Sequence, residues 1–319
     1  MVETLRRAFD AVHTWLFEAA VQPLLFAAGA SQWLEDAYPA TEWFLLGILQ
    51  VALLYALLRP LEALFPAEPW GDRRGTGVDV IYTLLHRLGA FPLLVFLLLT
   101  PLAETATAWL RAREFTPLNL DALWPGVTDV PVASFLIYLA ALDLLDYWLH
   151  RAQHRLRWWW ALHALHHSQR KMSFWTDDRN HLLDSLINDT VKAAVALAIG
   201  VEPAQFVGLT IAARALQSLQ HANLPWTYGP LGYLLVSPVF HRVHHAIGVG
   251  HEGRRFGCNF AVLFPVWDML FGTADYRPAI EPTGIRDQLP PPQGSGHDYG
   301  DGFWRQQWLG LRRMVDPAA

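Results

Sequence analysis

The chain has 319 residues, of which 53% are hydrophobic, 13% aromatic and only 17% charged, and its formal net charge is −5. Charged residues make up about a quarter of an ordinary soluble domain, so this balance argues against a cytosolic enzyme, and mild acidity without a sustained basic stripe argues against a nucleic-acid partner. The single cysteine, Cys258, excludes internal disulfides and any cysteine-built zinc or iron–sulfur site.

In chain order, residues 1–10 carry Arg6 and Arg7 but no apolar run with a small-residue cleavage site behind it, so no cleavable signal peptide is expected. Residues 17–29 are too short to span a bilayer and read as an interfacial or packed helix. A spanning helix needs about 20 mostly apolar residues. That length is met by 41–58, which stops at Arg59-Pro60, by 78–102 and by 131–149. The region 189–220 is broken at Gly200-Val201-Glu202-Pro203 into pieces of about 12 and 17 residues. Each is short for a crossing, so a hairpin that dips in and returns is expected, with a pair of tilted full spans as the alternative.

The connection after the first span holds Arg59, Arg73 and Arg74, and the one after the third holds Arg151, Arg155, Arg157, Arg170, Lys171 and Arg179. Between them, Arg111 and Arg113 are diluted by carboxylates. Basic loops stay in the cytoplasm, which places the first and third connections inside and the N-terminus outside. The tail 282–299, rich in Pro and Gly, reads as irregular chain. The fold class expected is all-α, an integral membrane helical bundle with a cytoplasmic-side, histidine-rich helical cap.

The 14 histidines are unevenly spread. His150 and His154 form H-x-x-x-H, while His163, His166 and His167, and again His241, His244 and His245, form H-x-x-H-H. On a helix, positions i, i+3 and i+4 share one face, so each group aims its imidazoles at one spot. All three fall at or beyond the cytoplasmic end of a span and can converge on one volume. Eight imidazoles exceed the needs of one ion, which points to a pair of metals, and imidazole suits iron, zinc, copper or nickel. Of the rest, His13 and His297 are expected to be solvated, His86 to be an interfacial or channel group, and His251 to sit in a loop.

The runs Asp146 to His154 (D-Y-W-L-H-R-A-Q-H), His163-Ala164-Leu165-His166-His167, Gln220-His221-Ala222-Asn223-Leu224-Pro225 and His241-Arg242-Val243-His244-His245 resemble the fatty acid hydroxylase and sterol desaturase superfamily. Asn259-Phe260 and Val266-Trp267-Asp268-Met269-Leu270-Phe271-Gly272-Thr273 are similar to its closing segment, so the resemblance covers 134–273. It implies an integral-membrane, non-haem di-iron oxygenase with two iron ions held by His150, His154, His163, His166, His167, His221, His241, His244 and His245. Some members place a further histidine where this chain has Gln217. His181, in Arg179-Asn180-His181-Leu182, is the substitute candidate beside the Asp177-Asp178 pair. Metal-bound histidines donate their other N–H to a carboxylate or carbonyl. Asp146, at i−4 from His150, is on the face to accept one; Asp143, Asp268 and Asn259 are further candidates for such support.

The resemblance divides the chain into a membrane region (1–130), a catalytic domain (131–275) and a tail (276–319). It implies hydroxylation or desaturation of an unactivated lipid C–H bond with O2 and two external electrons. The lipid would enter from the bilayer between the third span, the hairpin and the stretch 224–240. No H-P-G-G segment, G-x-G-x-x-G fingerprint or cysteine cluster is present, so a separate donor is expected, a ferredoxin or a b-type cytochrome with its reductase, which the basic cytoplasmic residues could dock. The same centre could instead serve ether-lipid cleavage or carotenoid hydroxylation. A histidine-rich metal transporter is the alternative of another class, although it would place its ligands at mid-bilayer in broken spans.

Overall fold

The computed structural model describes residues 2–71, 75–115, 118–253 and 256–316. Arg73 and Arg74, used above for orientation, lie outside the described residues. Among the described residues every regular element is helical, apart from an isolated bridge between Ala246 and Thr283.

The N-terminal helix α1 (Val2–Leu16) runs through a π turn into α2 (Gln22–Ala27). His13 is not solvated as expected: it is buried, with Nε2 2.9 Å from the Tyr38 carbonyl. The next helix, α3 (Leu34–Leu64), continues past Arg59-Pro60, where the sequence predicts a stop. The expected span 78–102 is two helices, α4 (Thr76–Arg87) and α5 (Ala90–Arg111). Gly89 between them takes φ 88°, a left-handed conformation that glycine reaches without steric cost. The polar residues of α4 dictate the break, because Asp79, His86 and Arg87 are all buried against protein partners.

Among the described residues three helical segments are long and apolar enough to cross a membrane: Ser31–Leu64, Ala90–Arg111 and Pro131–Arg155, the last being α6. Leu49, Leu53 and Leu57 on α3, and Leu94, Leu97 and Leu98 on α5, are exposed, an apolar surface suited to lipid contact. The hairpin is α8 (Leu182–Ala198) and α9 (Pro203–His221), turning where the sequence places the break. Tyr138 of α6 caps that turn, its hydroxyl donating to the carbonyls of Ile199 and Gly200 at 3.2 Å each.

Packing places α3 against α4 and α9, α5 against α4 and α8, and α6 against α8 and α9. Below this arc lie α7 (Arg157–His167), α10 (Pro238–His244), the short α11 (Val266–Leu270) and α12 (Phe303–Val315). The C-terminal α12 packs along α7 and touches α4, so the end of the tail is part of the same body.

Candidate metal centre

Histidines reach the centre from four helices. α6 carries His150 and His154 in its last two turns, and the chain then bends at Leu156 (φ −88°, ψ 113°), so that α7 brings His163, His166 and His167 back over them. α9 ends on His221. In α10, Pro238 occupies the first turn and the Ser237 hydroxyl accepts the Phe240 amide at 3.2 Å. Such a cap fixes where a short helix starts, and so where His241, His244 and His245 point.

These residues form two buried groups whose ligand atoms lie within 4.8 Å of one another in each. The first is His150, His154, His163, His167 and His244, and the second is His166, His221, His241 and His245. The groups adjoin, with the rings of His167 and His245 stacked at 4.4 Å. Nine of the ten histidines predicted as ligands are thereby brought together.

Carbonyl and carboxylate oxygens fix the tautomers, because they only accept. His150 donates from Nδ1 to the Phe260 carbonyl (2.8 Å), His154 to Phe256 (3.1 Å), His244 to Cys258 (2.7 Å) and His221 to Gln217 (2.9 Å). His163 Nδ1 stands 3.1 Å from Asp184 Oδ2. In each case Nε2 is left as the bare nitrogen. The Nε2 atoms of His163 and His244 are buried and have no hydrogen-bond partner among the described residues. His154 Nε2 faces His167 Nε2 at 3.0 Å, and His221 Nε2 faces His166 and His241 Nε2 at 3.2 and 3.0 Å. Buried imidazole nitrogens aimed at one another, with the Nδ1 atoms of His150, His154, His163, His221 and His244 tied back to acceptors, are what a cation requires. The donor set therefore fits metal.

Burial pushes the imidazoles of His166, His167, His241, His244 and His245 well below their ordinary value of 6.5, and their imidazole neighbours lower them further. The rings are held neutral, the form that ligates.

Supports for the histidines differ from those predicted. Asp146 does not accept from His150; it pairs with Lys192 at 3.1 Å. Asp143 accepts the amides of Leu263 and Phe264 and the Trp267 indole N–H, at 2.7–2.9 Å. Asp268 accepts the amides of Phe260 and Ala261, and the Asn259 side chain bonds the Phe240 carbonyl and both the carbonyl and amide of Asp275. These three side chains brace the segment 256–264, whose alternate carbonyls at Phe256, Cys258 and Phe260 receive three histidines. Phe256 and Asn259 have φ of 87° and 58°, so the acceptor run is held in a backbone conformation that costs energy.

The carboxylates nearest the ligands are ones sequence reading misses. Asp184 at the start of α8 takes His163 Nδ1, Trp159 Nε1 (2.6 Å) and Gln153 Nε2 (2.7 Å). Asp177 lies 3.4 Å from His221 Nδ1 and is gripped, with Asp178, by Arg87 at 2.7 and 2.5 Å. Burial pushes the Asp178 carboxyl up, but Arg87, His86 and Arg214 together hold the group below its ordinary range.

His181 lies outside both groups. Its Nε2 donates to the Gln307 carbonyl (2.8 Å), and its Nδ1 accepts the Leu183 amide (3.1 Å) as the N-cap of α8. Neither nitrogen is left for metal. Gly310 of α12 comes so close that an added Cβ would lie 2.4 Å from the ring. His251 is a loop residue, as expected, stacked 3.5 Å over Trp160.

A cavity of about 900 Å³ leads to the histidines. Its walls are α3, α6, α8, α9 and the start of α5, and His150, His163, His166, His221 and His241 reach it. The expected third wall, residues 224–240, does not line it; α3 and α5 do instead.

Membrane-length helices over two buried histidine groups with bare Nε2 atoms define a helical membrane protein with a metal-binding centre. Residues 135–273 match the family model described as fatty acid hydroxylase. That segment, which carries all nine clustered histidines, is a fatty acid hydroxylase domain by this match. The chain is 27% identical over 284 residues to an ornithine lipid hydroxylase of Rhizobium tropici, covering 84% of this chain and 79% of that protein. It is 31% identical over 162 residues to an alkylglycerol monooxygenase of Caenorhabditis elegans, covering 49% of this chain and 28% of that one. A very-long-chain aldehyde decarbonylase of Oryza sativa subsp. japonica is 28% identical over 229 residues, 67% of this chain and 32% of the relative. The chain thus spans about a third or less of the latter two. No solved structure matches it at a significant level.

Proposed function

We propose that the protein is an O2-dependent membrane oxygenase that hydroxylates an unactivated C–H bond of a lipid, holding two iron ions in its two histidine groups. The observation that carries this reading is the division of nine buried histidines into adjoining sets of five and four at the end of a lipid-sized cavity. Iron bound there supplies oxidation of the C–H bond by O2, with one oxygen atom passing to the product, the other leaving as water, and two electrons and two protons arriving from outside.

The chain's own part is to bind, orient and exclude water. Nε2 atoms of His150, His154, His163 and His244 ligate in the first group, and that of His221 in the second. Asp184, the Gln217 carbonyl and the carbonyls of 256–260 hold the opposite ring protons and so fix each ring plane. Between α3 and α5 the cavity is walled by apolar side chains that guide a lipid from the bilayer. The ornithine lipid hydroxylase relative overlaps 84% of this chain, which favours an amphiphilic lipid and hydroxylation over desaturation, ether cleavage or carotenoid chemistry.

The centre lies on the cytoplasmic side, at the arginine-rich end of α6, where exposed Arg155 and Arg157 offer a basic edge to an acidic ferredoxin or b-type cytochrome. The catalytic unit is 131–275, completed by α3 to α5 as cavity wall.

Metal analysis and optical spectroscopy of the purified protein test the centre. Two irons per chain and no Soret band are expected; a haem spectrum ends the reading. Lipid profiling of cells with the protein or with His166→Ala should show an oxygenated lipid with the former alone. Identical profiles from cells containing folded, iron-loaded protein count against a lipid substrate.

A further inference from the structure

The cavity above the histidines is walled mostly by apolar side chains but also carries a band of charge. Asp146 on α6, Asp189 and Lys192 on α8, and Arg214 on α9 all line it. Asp146 stands four residues before His150, Lys192 eight after Asp184, and Arg214 seven before His221. At about 1.5 Å per residue, the four groups stand roughly 6–12 Å along their helices from His150, Asp184 and His221, toward the bilayer.

Two of the four charges are incompletely matched. Lys192 and Asp146 pair at 3.1 Å, and both remain accessible, with side chains 29% and 17% exposed. Asp189 makes no hydrogen bond or ion pair among the described residues, although it is close enough to act electrostatically on both members of that pair. The Arg214 guanidinium donates to the His86 carbonyl at 3.3 Å, with no carboxylate in ion-pair range among the described residues. Charges within a membrane bundle are costly unless they are paired or meet a polar ligand. An alkyl chain in this cavity would strip water from Asp189 and Arg214 and return nothing. A headgroup bearing one anion and one cation would satisfy both.

We propose that this band is a headgroup site: the cavity takes the zwitterionic end of an amphiphilic lipid, Arg214 and Lys192 receiving its anionic group and Asp189 its ammonium group. Asp146 neutralises Lys192 when the site is empty. The bonds presented to the histidine groups are then those in or next to the headgroup, and the acyl chain trails between α3 and α5 toward the bilayer. This rests on the lipid-oxygenase reading but is tested by binding, without turnover.

The experiment uses the full-length, metal-loaded protein in detergent and four probes of one chain length. Nα-palmitoyl-lysine carries both charges, N-palmitoyl-norleucine the carboxylate, N-palmitoyl-cadaverine the ammonium, and palmitamide neither. Binding of the doubly charged probe should be about tenfold or more tighter than that of either singly charged one, as expected for a charge-assisted hydrogen bond. Arg214→Gln should bring its affinity down to that of the cadaverine amide, and Asp189→Asn to that of the norleucine derivative, with metal content unchanged. Equal affinity for all four probes, or variants that keep the wild-type preference, overturns the proposal. If a variant fails to fold, the comparison of probes on the wild-type protein decides alone. Tight palmitamide binding with active oxygenation sinks the headgroup site and leaves the oxygenase standing; zwitterion selectivity without O2-dependent chemistry does the reverse.

Discussion

The carboxylate of Asp184 meets the Nδ1 of His163 at 3.1 Å, and its other oxygen takes the Trp159 indole and the Gln153 amide at 2.6 and 2.7 Å. One side chain from α8 thus sets the ring of a histidine on α7 and ties both helices to α6. Outer-shell partners of this kind typically carry about 10–100-fold in metal affinity. Asp184→Asn, which keeps the shape but loses the charge, should lower retention by that order in a chelator competition. Asp184→Ala should in addition destabilise the fold, since it strands buried donors at about 1–3 kcal/mol each. Unchanged retention in a folded Asp184→Asn protein would show that His163 needs no such support.

Asn259 acts at one remove. Its side chain joins the Phe240 carbonyl in the first turn of α10 to the backbone of Asp275, at 2.6–2.9 Å, while its own φ of 58° is one that asparagine tolerates better than most residues. Asn259→Ala should cost about 2–4 kcal/mol of stability, from lost hydrogen bonds and from strain. It should also loosen His150 and His244, whose acceptors flank it. Thermal melts with and without metal check this. A loss confined to the metal-loaded state would show that Asn259 matters only once the centre is filled.

How much of this is legible in the sequence follows from where each contact comes from. Ligand groups repeat locally, so H-x-x-x-H and H-x-x-H-H are readable from helix periodicity. His221 stands alone and needs the resemblance. The acceptors are far away in the chain: Phe260 lies 110 residues from His150 and Asp184 lies 21 from His163, and no spacing rule pairs them. Asp146 is on the predicted face of α6, but Lys192 comes across from α8 and claims it. The break at Gly89 is hidden because 78–102 is apolar enough to pass as one span; what divides it is the demand of Asp79, His86 and Arg87 for partners in the cap.

His181 offers a clean separation of metal ligand from helix cap. Both of its nitrogens are occupied, by the Gln307 carbonyl and the Leu183 amide. His181→Ala should therefore leave metal content unchanged while costing about 1–2 kcal/mol, the worth of an N-cap and of a buried hydrogen bond. Gln217→Ala should likewise leave metal content unchanged, since it is the backbone carbonyl of Gln217 that receives His221. Loss of one metal equivalent from a folded His181→Ala protein would return His181 to the ligand set.

The orientation of the centre is open to labelling because Cys258, the native cysteine, is buried. At 25 residues, α6 is about 37 Å long at about 1.5 Å per residue, enough to place its ends on opposite sides of a bilayer. Ala122→Cys precedes it and Arg157→Cys follows it, and both positions are exposed. The arginines beyond α6 favour the inside, so an impermeant maleimide should label Ala122→Cys in intact cells and Arg157→Cys only after permeabilisation. The opposite pattern would put the histidine groups on the outer face, beyond the reach of a cytoplasmic electron donor. Labelling of both from one side would mean that α6 does not cross, and the cavity between α3 and α5 would then face water instead of lipid.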